Sequence, residues 1–346
     1  MKEIIFGMSD IELGDGSQTD DFASDDLLSK TILGFCSKKY KNIPITLVVN
    51  GDSFDFIRSS YKEKYPRYIT TEVSLWKLER IYQAHKKVFD SYKKFSSIKK
   101  NTLVFVLGNH DMDVAFKDVQ KKLREYINKS VQFPGFSYDK SSVHFEHGSQ
   151  YDSLFYINPR RIFIDYNGKK ILNLPWMTYG LFEYYMQYKV RYPMLDRIYP
   201  RNLILQKYSK LVKELNFGAF KYLIKTAVIN QVRYYHDLTY RLSFKTMFNY
   251  LKRLLQNNYE LLFEDQLKEV LATDNKIKVV VAGHSHEAKL QRKKGGYFVN
   301  TGTWREEYFV SSDGGSVTVK YKTYVEIHLK EDIVNKVLLH AVKKEV

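Results

Sequence analysis

The sequence predicts an α/β fold whose strand ends carry polar clusters, and three observations lead there. Short apolar runs rich in Val, Ile and Phe alternate with longer stretches of helical period through the first 150 residues. Most of these runs end in glycine or a polar turn. The rhythm then breaks between residues 151 and 276, where strand signals are few and helical ones several. Alternating strands and helices build an α/β sheet, and in such sheets sites form outside the carboxyl ends of the strands.

The predicted strands cover residues 4–8, 45–50, 102–107, 143–146, 278–282 and 297–300. The clearest helical periods run over 25–38 and 74–95. Inside 151–276, Ile204, Tyr208, Leu211 and Leu215 share one helix face, and Phe244, Phe248, Leu251, Leu255 and Tyr259 share another. Residues 176–260 hold 14 Lys and Arg against 5 acids, and 13 of the 28 tyrosines. Acids are thus depleted and tyrosine concentrated, which predicts a helical cap over or beside the sheet. Residues 308–328 predict a hairpin turning at Asp313-Gly314-Gly315. Residues 333–344 predict a last helix or strand.

At 346 residues and 44% apolar content the chain can bury a sizeable core. Its formal charge of +16 favours anionic partners, namely phosphorylated metabolites, an acidic membrane surface or nucleic acid. Cys36 is the only cysteine, which excludes an intrachain disulfide. No stretch reaches the roughly 18 apolar residues of a membrane span, and the run before the first polar cluster is too short for a signal peptide. A cytoplasmic protein, peripheral to the membrane at most, is expected.

Five polar clusters follow apolar runs: Ser9-Asp10-Ile11-Glu12, Gly51-Asp52-Ser53-Phe54-Asp55, Gly108-Asn109-His110-Asp111, Glu146-His147-Gly148 and Gly283-His284-Ser285-His286. Their Asp, Glu, Asn and His side chains are those that hold hard and borderline metal ions. In an extended chain, residues two apart face one side, so Asp10 with Glu12, and His284 with His286, are expected to aim together. One such pair alone reads as a polar loop; five clusters in sequence do not. His144, three residues before His147, is expected on the opposite face. Arg160-Arg161 suits bidentate phosphate contact, or equally an exposed basic turn.

The order of these clusters resembles the calcineurin-like metallophosphoesterase family. The matching residues are Asp10, Asp52 with Asp55, Asn109-His110-Asp111, His147-Gly148, His284-Ser285-His286 and the later Asn300-Thr301-Gly302-Thr303-Trp304. The resemblance implies a four-layer sandwich of two mixed sheets flanked by helices, an α/β (α+β) fold. Residues 1–150 and 277–346 would form the core, and 151–276 the helical cap. It implies one metal on Asp10, Glu12, Asp52 and His286, and a second on Asp52, Asn109, His147 and His284. Two divalent ions are expected, with Mn²⁺ favoured over Mg²⁺, Fe²⁺ or Zn²⁺. Glu12 departs from the family, which has histidine there. A carboxylate is a harder ligand and adds negative charge, shifting preference toward Mn²⁺ or Mg²⁺.

The chemistry implied is hydrolysis of a phosphate ester or pyrophosphate by a two-metal site. His110 would act on the substrate, with Asp111 either setting its tautomer or closing a turn by satisfying local amides. Asp55 and Asp152 would orient metal-ligand histidines, Asp152 being equally readable as a surface carboxylate, and Arg160 and Arg161 would bind phosphate. The isolated His-Gly followed by a helical insertion is similar to the UDP-2,3-diacylglucosamine hydrolase branch, which implies a nucleotide-linked lipid or sugar as substrate. Two other readings stay open: a nuclease or cyclic-nucleotide phosphodiesterase, and a catalytically degenerate metal-binding scaffold.

Overall fold

The structure, a computed structural model, describes residues 2–152, 154–200, 207–240, 248, 262–293, 295–311 and 315–343. Two mixed sheets lie face to face. The first has six strands: β1 (Lys2–Met8), β2 (Ile45–Asn50), β3 (Asn101–Val106), β4 (Gln132–Gly135), β15 (Lys322–Lys330) and β16 (Ile333–Val342), in the order β16-β15-β1-β2-β3-β4. Strands β1 to β4 run parallel; β15 and β16 add antiparallel at one edge. The second has β5 (Ser137–Lys140), β6 (Val143–Glu146), β10 (Val279–Ala282), β11 (Lys289–Lys293) and β12 (Gly296–Asn300), ordered β11-β12-β10-β6-β5. Its centre, β6-β10-β12, is parallel.

Strand alternation builds the layers. In β1, Ile4, Phe6 and Met8 point to a core shared with helices α1 (Asp25–Gly34), α2 (Thr71–Ala84), α3 (Lys86–Ser96) and α4 (Lys117–Tyr126), while Ile5 points to the other sheet. There Ile5, Val48, Val104 and Ile327 meet Val143, Phe145, Val281 and Val299. The far face of the second sheet is covered by helix Leu262–Thr273, through Leu267 and Leu271 against Val280 and Phe298. The order helices–sheet–sheet–helix is the expected four-layer sandwich.

Two local readings need correction. The period over 74–95 is two helices, because the chain leaves helical geometry at His85 (φ −117°, ψ 30°). The His85 ring sits between Asp20 and Asp25, 2.9 Å from each, and this fixes the break. The end of the helical period at 25–38 comes at Gly34, and a short 3-10 turn follows at Lys38–Tyr40.

The 151–276 segment is mostly helical but also holds a hairpin, β7 (Phe163–Tyr166) with β8 (Lys169–Leu172). Its Ile157, Leu172, Leu174, Tyr179 and Phe182 join the core beneath the first sheet. Its last helix, Leu262–Thr273, flanks the second sheet. Of the first expected face, Leu211 and Leu215 lie on the long helix Ser209–Arg233, Tyr208 immediately precedes it and Ile204 lies outside the described residues; of the second only Phe248 lies within them. The tail forms β13 (Tyr308–Val310) and β14 (Val317–Val319), paired antiparallel, and β13 also pairs in parallel with β9 (Ile198–Tyr199) of the 151–276 segment. The turn residues Asp313 and Gly314 lie outside the described residues. Residues 333–342 are strand rather than helix. Among the described residues, no helix is long and apolar enough to cross a membrane.

Candidate metal centre

All seven expected ligands meet at one end of the sandwich. Asp10 and Glu12 follow β1, Asp52 follows β2, and Asn109 lies just past β3. His147 follows β6, and His284 and His286 follow β10. The site therefore draws on both sheets at their carboxyl ends. Glycines let the strand ends close up: a Cβ on Gly108 would collide with Asp52, and one on Gly283 with Asp10 and Ser9.

The backbone there is unusual. Asp10, Glu12, Asp52, His284 and His286 all have φ between 49° and 67°. Non-glycine residues rarely adopt this left-handed region, and such strain gathers at functional sites. It also corrects the expectation that extended geometry aims each i, i+2 pair together. His284 joins Asp52 and His147, whereas His286 joins Asp10 and Glu12; within each set the potential ligand atoms lie within 4.8 Å of one another. The two histidines thus serve different clusters. Asp10 and Glu12 do share a cluster, but through loop geometry.

The polar atoms facing this space fit divalent ions. His147 Nδ1 bonds the Asn50 carbonyl at 3.0 Å, which turns Nε2 inward. Nε2 then lies 3.1 Å from Asp52 Oδ2 and 3.8 Å from Asp10 Oδ1, without a well-aligned hydrogen bond. Asn109 Oδ1 is likewise buried without a hydrogen-bond partner among the described residues. Orphaned buried polar atoms are rare and need a reason; carboxylate, imidazole and amide oxygen converging on one space suit Mn²⁺, Mg²⁺, Fe²⁺ or Zn²⁺. Burial would raise the Asp52 carboxyl, but the charges of His147 and His110 outweigh it and hold the group well below the usual range. His286 Nε2 lies 3.3 Å from Asp10 Oδ1 and 3.4 Å from Glu12 Oε1, while its Nδ1 is held by Glu307 Oε1 at 2.8 Å.

The pairing expected for His110 is different in the structure. Its Nδ1 faces Asp55 Oδ1 at 3.0 Å. Asp111 instead accepts the backbone N–H groups of Gly108 and Ser53, each at 2.7 Å, so it shapes the turn. Asp55 accordingly orients His110, not a metal-ligand histidine. Burial lowers the His110 ring pKa, but Asp52, Asp55 and Glu12 more than reverse this and push it up to about 9. Asp152 is buried, 3.4 Å from His284 Nε2, as expected of a group that orients that ring. His144 turns away, to Asp139 and Glu146.

A cavity of about 320 Å³ opens onto the cluster. Glu12, Asp52, Asn109, His110, His284 and His286 form its polar wall. Leu154, Phe155, Met177, Leu181 and Met186 form its apolar wall, with Phe155 packed edge-on against the His284 ring. Arg160 and Arg161 do not line it; they sit exposed on a turn capped by Asn158. The arginines at the cavity are Arg58 and Arg305. Sequence reasoning passed over both, together with Glu307 and Asp196. The available signal was Arg58 three residues after Asp55, and Arg305 and Glu307 directly after the Asn-Thr-Gly segment.

No curated protein sequence matches the chain. Among solved structures, a putative 5'-nucleotidase from Staphylococcus aureus in complex with alpha-ketoglutarate is 11% identical, at a TM-score of 0.39. The match covers 100% of this chain and 55% of that one, so the chain spans about half the length of that protein. Phosphopantetheinyl hydrolase from Mycobacterium tuberculosis is 12% identical at a TM-score of 0.28, over 87% of this chain and 90% of that one. The family model described as calcineurin-like phosphoesterase matches residues 26–288, from the first helix through the two histidines after β10. The chain belongs to the calcineurin-like phosphoesterase family.

Proposed function

We propose that this protein hydrolyses a phosphate ester or phosphoanhydride at a site for two divalent ions, with Mn²⁺ the favoured ion. The observation that carries the reading is the pair of clusters, Asp10-Glu12-His286 and Asp52-His147-His284, side by side at the floor of one cavity. Asp52 lies between them and Asn109 supplies an amide oxygen to the second. When bound, the ions would supply Lewis acidity and an activated water. His147 and His286 are held in orientation by Asn50 O and Glu307. His110, held by Asp55, donates a proton to the leaving oxygen or stabilises its charge.

The apolar wall supports a substrate whose phosphate is carried on a partly apolar group, such as a nucleotide-linked lipid or sugar. The long helix Ser209–Arg233 adds to this. Phe217, Phe220, Ile224, Val228 and Val232 are all at least 50% exposed on it, among Lys213, Lys221 and Lys225. Apolar side chains among lysines suit the surface of an anionic membrane on the cytoplasmic side.

A substrate panel with Mn²⁺ tests the reading: a generic phosphodiester, UDP-linked lipids, dinucleotides and single-stranded DNA, with flotation on anionic and neutral vesicles alongside. Turnover of the generic ester and a lipid-linked pyrophosphate, with binding to anionic vesicles only, is expected. Preference for single-stranded DNA would replace the lipid reading with a nuclease, and no turnover of any substrate by a chain that binds metal would leave the scaffold.

A further inference from the structure

The two oxygens of Glu12 have different partners. Oε1 lies 3.4 Å from His286 Nε2, inside the first cluster. Oε2 accepts a hydrogen bond from Arg58 Nη1 at 2.5 Å, with Arg305 Nη1 a further neighbour at 3.7 Å. Arg58 does more with the same guanidinium. Nη1 also donates to Asp55 Oδ2 at 2.7 Å, and Nη2 donates to Asp196 Oδ2 at 3.0 Å. Asp196 comes from the 151–276 segment, where buried Lys189 grips its other oxygen at 2.5 Å. Arg305 Nη1 approaches Asp196 Oδ2 as well, at 3.3 Å.

We propose that Arg58 is the positioning residue of the first metal site: it occupies one oxygen of Glu12, leaves the other for the ion, and is anchored by Asp196. The proposal rests on the two-metal reading above. Histidine would bring no charge to this position. Glutamate adds one beside Asp10 and Asp52, and an unrestrained carboxylate can chelate through both oxygens. Arg58 answers both problems by compensating the charge and fixing a single free oxygen. The planar fork is needed, because Glu12 and Asp55 are reached from Nη1 and Asp196 from Nη2, and a lysine offers a single nitrogen. Three of its five N–H donors go to these carboxylates, and Asp21 Oδ2 lies 3.7 Å from Nε, so the guanidinium is held chiefly by the protein's own acids. Through Asp55 the same side chain is tied to His110. The metal ligand, the His110 orienter and the insertion therefore share one cation.

Mn²⁺ stoichiometry and affinity, read by calorimetry and elemental analysis, test this with four proteins: wild type, Arg58→Gln, Arg58→Lys and the double variant Glu12→His/Arg58→Gln. Partners that orient metal ligands typically contribute about 10–100-fold to affinity. The wild type is expected to bind two ions. Arg58→Gln should weaken one of them by about that factor and spare the other, Arg58→Lys should not restore it, and the double variant should, because imidazole needs no guanidinium. A purely structural role for Arg58 would not be rescued by a ligand change. Should Arg58→Gln fail to fold, the double variant is read alone: two ions bound supports the proposal, and fewer overturns it. A wild type that binds two ions with Arg58→Gln indistinguishable from it, or a double variant no better than Arg58→Gln, overturns the proposal alone. A wild type that binds fewer than two overturns the two-metal reading as well.

Discussion

At the scale of single residues, Asp52 and His110 separate metal binding from catalysis. Asp52 Oδ1 accepts the His110 backbone N–H at 2.7 Å and Oδ2 faces His147, so the side chain is central to the site without being part of the core. Asp52→Asn is expected to abolish turnover and lose bound metal while the circular dichroism spectrum stays that of wild type. Two retained equivalents with normal rates would remove Asp52 from the site. His110 reaches no ion in the proposed scheme. His110→Ala is expected to lower kcat by about 10²–10⁴-fold with metal content unchanged, and equal losses of metal and rate would make it a ligand instead. The sequence placed both residues at the site, because each sits in a cluster that local chain geometry presents at a strand end. It misread what orients His110. Asp111 is the neighbour in sequence, but its carboxylate closes the turn, and Asp55 reaches the ring from another strand end.

Among the elements, the junction between α2 and α3 shows how a side chain overrides helical period. The pattern over 74–95 is continuous, and nothing local forces a break at His85. The break follows from Asp20 and Asp25, which lie about sixty residues earlier and take both ring nitrogens. Burial lowers this ring's pKa, but the two hydrogen bonds outweigh it and raise it to about 9. The folded state therefore holds this proton more tightly than the unfolded chain, whose histidines titrate near 6.5. The stabilisation is full below about pH 6.5 and is lost as pH rises through 9, by at most ~3 kcal/mol. Urea unfolding at several pH values should show wild-type stability falling over that window relative to His85→Gln. Parallel curves for the two proteins would show that His85 holds no extra proton in the fold.

For the molecule as a whole, the centre ties two sheets together. Asp10, Glu12, Asp52 and Asn109 follow strands of the first sheet, and His147, His284 and His286 follow strands of the second. An ion bound by both sets stabilises only the assembled sandwich. Mn²⁺ is expected to raise the melting temperature in a concentration-dependent way. At one hundred times its dissociation constant, one site contributes about 2.7 kcal/mol. Asp52→Asn should lose most of this shift. A melting temperature indifferent to saturating Mn²⁺ would mean that the ions, if bound, do not bridge the sheets.

The sequence by itself determined the kind of protein this is. Strand runs ending in Asp, Asn and His clusters are local facts, set by hydrophobic periodicity and by which side chains follow each run, and they carry the fold class, the family and the seven side chains gathered at one end of the sandwich. The tertiary structure decided how the backbone delivers those residues to the two clusters that the family resemblance implies. His284 and His286 enter different clusters because left-handed backbone at both positions turns them apart. Arg160-Arg161 looks like a phosphate site in sequence and lies away from the cavity. Arg58, Arg305, Asp196 and Glu307 look like ordinary charged residues and surround the first cluster. Charges act through space, and residues as far apart as Glu12 and Arg305 become neighbours only when β1 and the chain after β12 are brought to the same end of the sandwich.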